Sequence, residues 1–268
     1  MDRRRLKNCI ILILVLMNLC LAVSLLSRAG TLHTVQRTAT EQQVALFAAE
    51  GISLDPGLIS DQIPPSLRTL SRDSEQEAQA AASLLGSQLS YSDQGGGIYT
   101  YSSTRGAAMF RSTGAFEAAG TLASSGAEFC RAFCEDFGYD EPVFHLDTNG
   151  SGTATAVRMY EEFPVFNCSV TFSLSNGILT AVSGTLLPAE YTETPAEVSP
   201  LSASAALTAF QNLRRENQAV VSAVTDLYLC FELQSTSSAA MALVPAWCIV
   251  TDTANYYVNC STGAVTSR

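Results

Sequence analysis

Residues 9–26, CIILILVLMNLCLAVSLL, form an almost unbroken apolar run directly behind Arg3, Arg4, Arg5 and Lys7, and Lys7 is the only lysine in the chain. A helix over this run, at about 1.5 Å of rise per residue, nearly crosses a hydrocarbon core of roughly 30 Å. The basic cluster before it predicts that the N-terminus stays in the cytoplasm and the remainder is exported. A cleaved signal peptide has a shorter apolar region, about 7–15 residues, that ends in small residues. Here the run is longer, and Ser27-Arg28-Ala29 sets a charge between two small positions. Met17, Asn18 and Leu19 are likewise the wrong residues before a lipidated Cys20. The expectation is a retained anchor: a cytoplasmic tail over 1–8, a transmembrane helix over 9–27 and an extracytoplasmic remainder. Asn18 is the polar exception. Its amide either bonds a neighbouring membrane helix, at roughly 0.6–2 kcal/mol, or bonds its own backbone.

Of the 268 residues, roughly 240 lie beyond this segment, enough for one large domain or two small ones. Setting aside the four early basic residues and Asp2 leaves 11 basic and 24 acidic residues, a net charge of −13. That balance argues against nucleic acid and against anionic lipid surfaces as partners of the exported part. The chain has eight cysteines. Cys9 and Cys20 fall in the apolar run. Cys130 and Cys134 stand four apart on an expected helix, and Cys168, Cys230, Cys248 and Cys260 fall in expected strands. No Cys-x-x-Cys and no Cys/His cluster occurs, so no zinc site is expected. A bridge between Cys248 and Cys260 remains open, as does burial of all these thiols as small hydrophobes. Asn149, Asn167 and Asn259 each begin a glycosylation triplet, relevant only in a host that glycosylates.

Element signals organise the rest. Residues 31–50 lack Pro and Gly and read as a helix ended by Gly51; residues 52–70, with Pro56, Pro64 and Pro65, read as extended. A helix follows over 74–85, with Ser74 and Glu77 as a capping box. Strand-like runs lie at 88–92, 98–103 and 107–112. Leu122, Gly126, Phe129, Phe133 and Phe137 then make one stripe of a helix. Strands are expected at 142–146, 153–161, 165–174 and 178–187, with hairpin turns at Asn149-Gly150 and Asn176-Gly177. After a linker at 191–200 the order repeats: a helix over 201–215, then strands at 220–233, 242–251, 256–260 and 264–266. Ser175-Asn176-Gly177-Ile178 aligns with Ser261-Thr262-Gly263-Ala264 across the two copies. The expected organisation is a membrane-proximal region over 28–112, a first α+β unit over 113–190 and a second over 201–268. Each unit has one helix on its own antiparallel sheet.

Chemistry is sparse. There are two histidines, His33 and His145, and no nucleophile, base and orienting group stand together. Asp147-Thr-Asn-Gly-Ser-Gly starts like a calcium loop, but Arg158 occupies the position that needs a bidentate Glu. Glu161-Glu162 could be an acid pair. Adjacent strand residues point to opposite faces, so they read as a solvated strand end. No enzyme activity, cofactor or metal is expected.

The segment LVPAWCIVTDTANYYVNCSTGAV, residues 243–265, is the second distinctive text: Pro245-Ala246-Trp247 opens a strand, and Tyr256-Tyr257-Val258-Asn259 with Thr262-Gly263 returns along the next. Its bland reading is a core hairpin packed around Trp247. The wording also resembles the YycH/YycI family of membrane-anchored accessory regulators of the cell-wall sensor kinase WalK (YycG), and is most similar to the YycI branch. Met1-Asp2 with Leu16-Met17-Asn18-Leu19, Gly51-Ile52-Ser53-Leu54 and Glu162-Phe163-Pro164-Val165-Phe166-Asn167 are similar to further stretches of that family. Cys248 departs from it, standing where a basic residue is expected. The resemblance implies one membrane helix and an ectodomain of PepSY/cystatin-like units. It implies a sensor histidine kinase as partner, with membrane lipid and a second YycH-like accessory protein. It also implies contact through the membrane helix, where Asn18, Met17 and Leu14 become the candidate partner-binding residues. Pro164, Pro245, Trp247, Tyr257, Asn259 and Gly263 become structural motif residues. A different class remains open: an extracytoplasmic inhibitor or chaperone-like module that holds an exported protease or peptide on a sheet.

Overall fold

A computed structural model of the chain describes residues 14, 17, 18, 39–123, 126–194, 199–235 and 241–267. Among these residues fifteen strands join in one mixed sheet. A helix (α1), whose described part is 39–49, leads into β1 (Ser53–Leu54) and a 3-10 turn. Then come β2 (Leu67–Leu70), α2 (Ser74–Leu85), β3 (Ser90–Gly95), β4 (Ile98–Ser103), β5 (Gly106–Arg111), β6 (Ala115–Ala123) and α3 (Gly126–Asp136). The meander β7 (Val143–Leu146), β8 (Gly152–Tyr160), β9 (Phe163–Ser175) and β10 (Ile178–Thr185) follows. The chain closes with β11 (Tyr191–Thr194), α4 (Ala203–Asn217), β12 (Ala223–Ser235), β13 (Met241–Thr251), β14 (Asn255–Asn259) and β15 (Val265–Ser267).

The expectation of two α+β units, each with one helix packed on an antiparallel sheet, is corrected. The strand order β11-β2-β13-β12-β9-β10-β6-β5-β4-β3 runs through both. Two strands are long enough to serve two neighbours along one edge. On one edge of β9, residues 170–175 pair with β10, while Val165 pairs in parallel with Phe231 of β12. On one edge of β13, residues 241–243 pair with β2 and residues 246–250 with β14. The stretch read as membrane-proximal therefore supplies β1 through β5 to the sheet. Within the stretch read as a linker, Tyr191–Thr194 pairs with β2 as an edge strand.

Apolar side chains gather in two main clusters. α2 and α3 place Ala80, Leu84, Cys130 and Phe133 against Phe110, Phe116 and Phe172 of β5, β6 and β9. α1 and α4 place Phe47, Leu207 and Phe210 against Trp247, Ile249 and Val258 of β13 and β14. A third group, Leu70, Tyr160, Val165, Phe231 and Leu243, lies between them and holds the seam. On the other face of β12 and β13, Cys230, Ala246 and Cys248 are small enough for the rings of Phe166 and Tyr257 to stack across them at 3.7 Å.

The single-pass placement, with a cytoplasmic N-terminus and an extracytoplasmic domain, is also corrected. Among the described residues no helix is long and apolar enough to cross a membrane. The longest helix with both ends described, α4, has 15 residues, about 22 Å at 1.5 Å per residue. It buries one stripe and carries Arg214 and Arg215 in its last turn. Residues 9–27 lie outside the described set, apart from Leu14, Met17 and Asn18, which are helical and exposed.

Candidate functional site

β2 and β11 form a two-stranded ribbon at one end of the sheet, with Tyr191 opposite Leu70, Thr192 opposite Thr69 and Glu193 opposite Arg68. Strand alternation gives the ribbon two different faces. Arg68 and Leu70 point inward. Thr69 and Thr192 line a cleft outside.

On the inner face Arg68 is only 5 % exposed. Its Nη2 donates to Glu161 Oε2 at 2.8 Å. Its guanidinium lies 4.4 Å from the ring centre of Tyr191, 5.2 Å from that of Phe231 and 5.5 Å from that of Tyr160. A planar, weakly hydrated cation suits such an aromatic box. Tyr191 Oη donates to the second Glu161 oxygen at 3.1 Å. Glu161 sits in the tight turn between β8 and β9 with a φ of 55°, a left-handed conformation that costs a non-glycine residue on the order of 1–2 kcal/mol. The hydrogen bond from Arg68 holds its carboxyl below the usual range, and Glu161 in turn raises the phenol of Tyr191. Burial pushes the Tyr160 phenol up to about 12.

A second buried arginine, Arg158, braces the same seam without a carboxylate. Nη1 donates to the carbonyls of Gly138 and Met159, and Nη2 donates to Leu187 O at 3.2 Å. Burial lowers its pKa. Gly138 ends α3 with a φ of 69°, and a Cβ there would overlap Arg158 Nη1.

On the outer face, β11, β2 and the N-terminal turn of α2 enclose a cleft of about 490 Å³. Thr69, Thr192, Arg72, Asp73, Glu75 and Glu190 line it. Asp73, not Ser74, is the N-cap of α2, and its Oδ1 accepts from the N–H groups of Glu75 and Gln76 at 3.0 Å. Arg72 is taken up by Glu77, Nε to Oε1 at 2.9 Å, and lies over the ring of Tyr99. The cleft thus offers hydroxyls and carboxylates, suited to hydrogen bonding and charge pairing. A shallower depression of about 600 Å³ beside β3 and β4 is lined mainly by Ser and Thr. Among the described residues no group of three or more His, Cys, Asp or Glu is placed to hold a metal ion.

The residues singled out from sequence lie elsewhere. Trp247 is fully buried, and its Nε1 donates to Leu201 O at 2.9 Å, anchoring the approach to α4. Pro245 sits opposite Phe231 in β13. Tyr257 stacks on Phe166. Asn259 Oδ1 accepts from the N–H groups of Ser261 and Thr262, shaping the turn in which Gly263 has a φ of 72°. Pro164 is half-buried opposite Met159. Leu14, Met17 and Asn18 are exposed, and the rest of residues 9–27 lies outside the described set. The six described cysteines are buried and unbridged, including Cys248 and Cys260. Arg68, Tyr191 and Arg158 carried no sequence signal. Glu161 carried one only as half of an adjacent acid pair.

No family model matches the chain, and no curated protein matches it. Among solved structures, an uncharacterized protein from Eubacterium rectale aligns at 9 % identity over 77 % of this chain and 81 % of its own, with a TM-score of 0.45. The Bacillus megaterium YpeB C-terminal domain aligns at 14 % identity over 74 % of this chain and 98 % of its own, with a TM-score of 0.35. At these scores the likenesses are partial and define no shared fold.

Proposed function

We propose that this chain is a non-enzymatic regulator that holds an extended segment of a partner protein along the open edge of β11. The observation that carries this reading is the edge itself. Among the described residues β11 pairs only with β2, so every second residue directs its N–H and C=O away from the sheet, and a polar cleft runs alongside. Main-chain hydrogen bonds to an added strand give affinity, and flanking side chains give choice of partner. The YycH/YycI wording at residues 162–167 and 243–265 supports a sensor histidine kinase, WalK-like, as the first partner to try. To regulate, the chain must bind one signalling state of the kinase better than the other.

The test is reconstitution of the full-length chain with a sensor kinase from its own host. Autophosphorylation should shift by about fivefold or more. Hydrogen exchange at residues 191–194 should slow when the kinase is added. An unchanged kinase and unprotected residues 191–194 would sink the proposal. Protection at 191–194 by an exported protease, without a kinase effect, would move the assignment to the inhibitor or chaperone-like class.

A further inference from the structure

We infer that the segment taken up by β11 is basic, with Lys or Arg at alternate positions. The inference rests on the strand-addition reading above. An added strand lies about 4.8 Å from β11 and turns alternate side chains to its two faces. Those on the face of Thr192 overhang the cleft that Glu75 and Glu190 line. Those on the other face come beside Glu193 and the exposed ring of Tyr191. Glu75, Glu190 and Glu193 form no ion pair among the described residues. The two nearby cations are already engaged, Arg68 by Glu161 and Arg72 by Glu77. Both faces of the vacant position therefore carry uncompensated negative charge, next to the hydroxyls of Thr69, Ser71 and Thr192, which can accept from an ammonium or guanidinium group.

The same charges exclude the other occupants. A second copy of β11 would bring Glu193 and Glu190 against their own kind, and the chain as a whole has a net charge of −10. Charged edge residues commonly serve to prevent such self-pairing. An acidic segment is repelled in the same way, and a neutral one leaves the carboxylates unpaired. The β3 edge has no comparable preference: its one carboxylate, Asp93, is turned onto the N–H of Gly95 within a bulge.

The experiment uses the full chain and three fluorescent eight-residue peptides that alternate Val with Lys, Ser or Glu, read by polarisation and by hydrogen exchange at 191–194. The Lys peptide should bind about tenfold or more tighter than the Ser peptide, weaken with added salt and protect 191–194. Glu190→Gln with Glu193→Gln should erase its advantage over the Ser peptide. Equal binding and equal protection by the Ser peptide would overturn the basic preference and leave strand addition standing. Lys-peptide binding that ignores the Gln substitutions and leaves 191–194 unprotected would be surface attraction, and would overturn the inference. No protection by any peptide would overturn the strand-addition reading itself.

Discussion

Glu161 concentrates the residue-scale tension of the molecule. It holds a left-handed backbone conformation that glycine or asparagine adopts more readily, yet its carboxylate is the acceptor for both Arg68 and Tyr191. Because Arg68 depresses its pKa, the contribution of Glu161 to stability is complete above the unfolded-state value of about 4.3 and is lost as pH falls through the lower folded-state value. Glu161→Gln should destabilise the protein at neutral pH by about 1–2 kcal/mol, since the side chain is 45 % exposed and water partly replaces it. The stability lost on acidification below about pH 4.3 should shrink by the same amount. Urea unfolding of both proteins at pH 7 and pH 3 checks this. An identical acid loss in the variant would show that Arg68 does not titrate Glu161 in the folded state. Sequence reasoning treated Glu161 and Glu162 alike, as the solvated end of a strand. Both are exposed, as that reading has it. What it misses is the bond Glu161 accepts from Arg68, because that partner is 93 residues away and no local spacing announces it.

Asn167 does at element scale what a ladder usually does. β9 and β12 meet in parallel through one register pair, Val165 with Phe231. Two residues on, the Asn167 side chain donates Nδ2 to Leu233 O at 2.7 Å and accepts from Leu233 N at 2.8 Å, standing in for the missing backbone rung. Asn167→Ala leaves a backbone N–H and C=O without partners and should cost about 2–3 kcal/mol, with faster hydrogen exchange at Leu233 than at Leu229. Exchange unchanged at Leu233 would show that the seam is held by packing alone. The engaged side chain also leaves Asn167 poorly placed for glycosylation, unlike the exposed Asn149. Local elements were largely legible: Asn176-Gly177 forms a turn with φ values of 51° and 76°, and the alternation before Leu233 became β12. β6 was not. Its run of Ala with Leu122 suits a helix by propensity, but β5 and β10 pair with it on both edges and override that preference.

At the scale of the whole molecule, the helix-then-strands order does occur twice, with Gly177 and Gly263 at φ values of 76° and 72°, but the single sheet overturns the reading of two units. What a repeat cannot tell is whether each copy closes on itself, because that depends on long strands with an edge to spare and on segments distant in sequence. The second copy borrows heavily. α1 stacks Phe47 on Phe210, pairs Glu50 with Arg214 and Arg215, and bonds Gln43 to Ser204 O at 2.9 Å. β1 and β2 pair with β12 and β13, and β9 covers the far edge of β12. Residues 201–268 alone lose the cover of Phe47, Ile52 and Leu54, all buried in the same cluster. At about 1.5–3 kcal/mol for each side chain, that is roughly 5 kcal/mol or more, the size of a small domain's whole stability. A fragment of residues 201–268 should therefore stay unfolded, with the single tryptophan, Trp247, emitting as in water. Residues 39–268 should bury Trp247 and unfold in one transition. Fluorescence and circular dichroism during urea unfolding distinguish the cases. A monomeric 201–268 fragment with buried Trp247 and a cooperative transition of its own would restore the picture of two independent units, and the shared sheet would then be a docking of domains instead of the condition for folding.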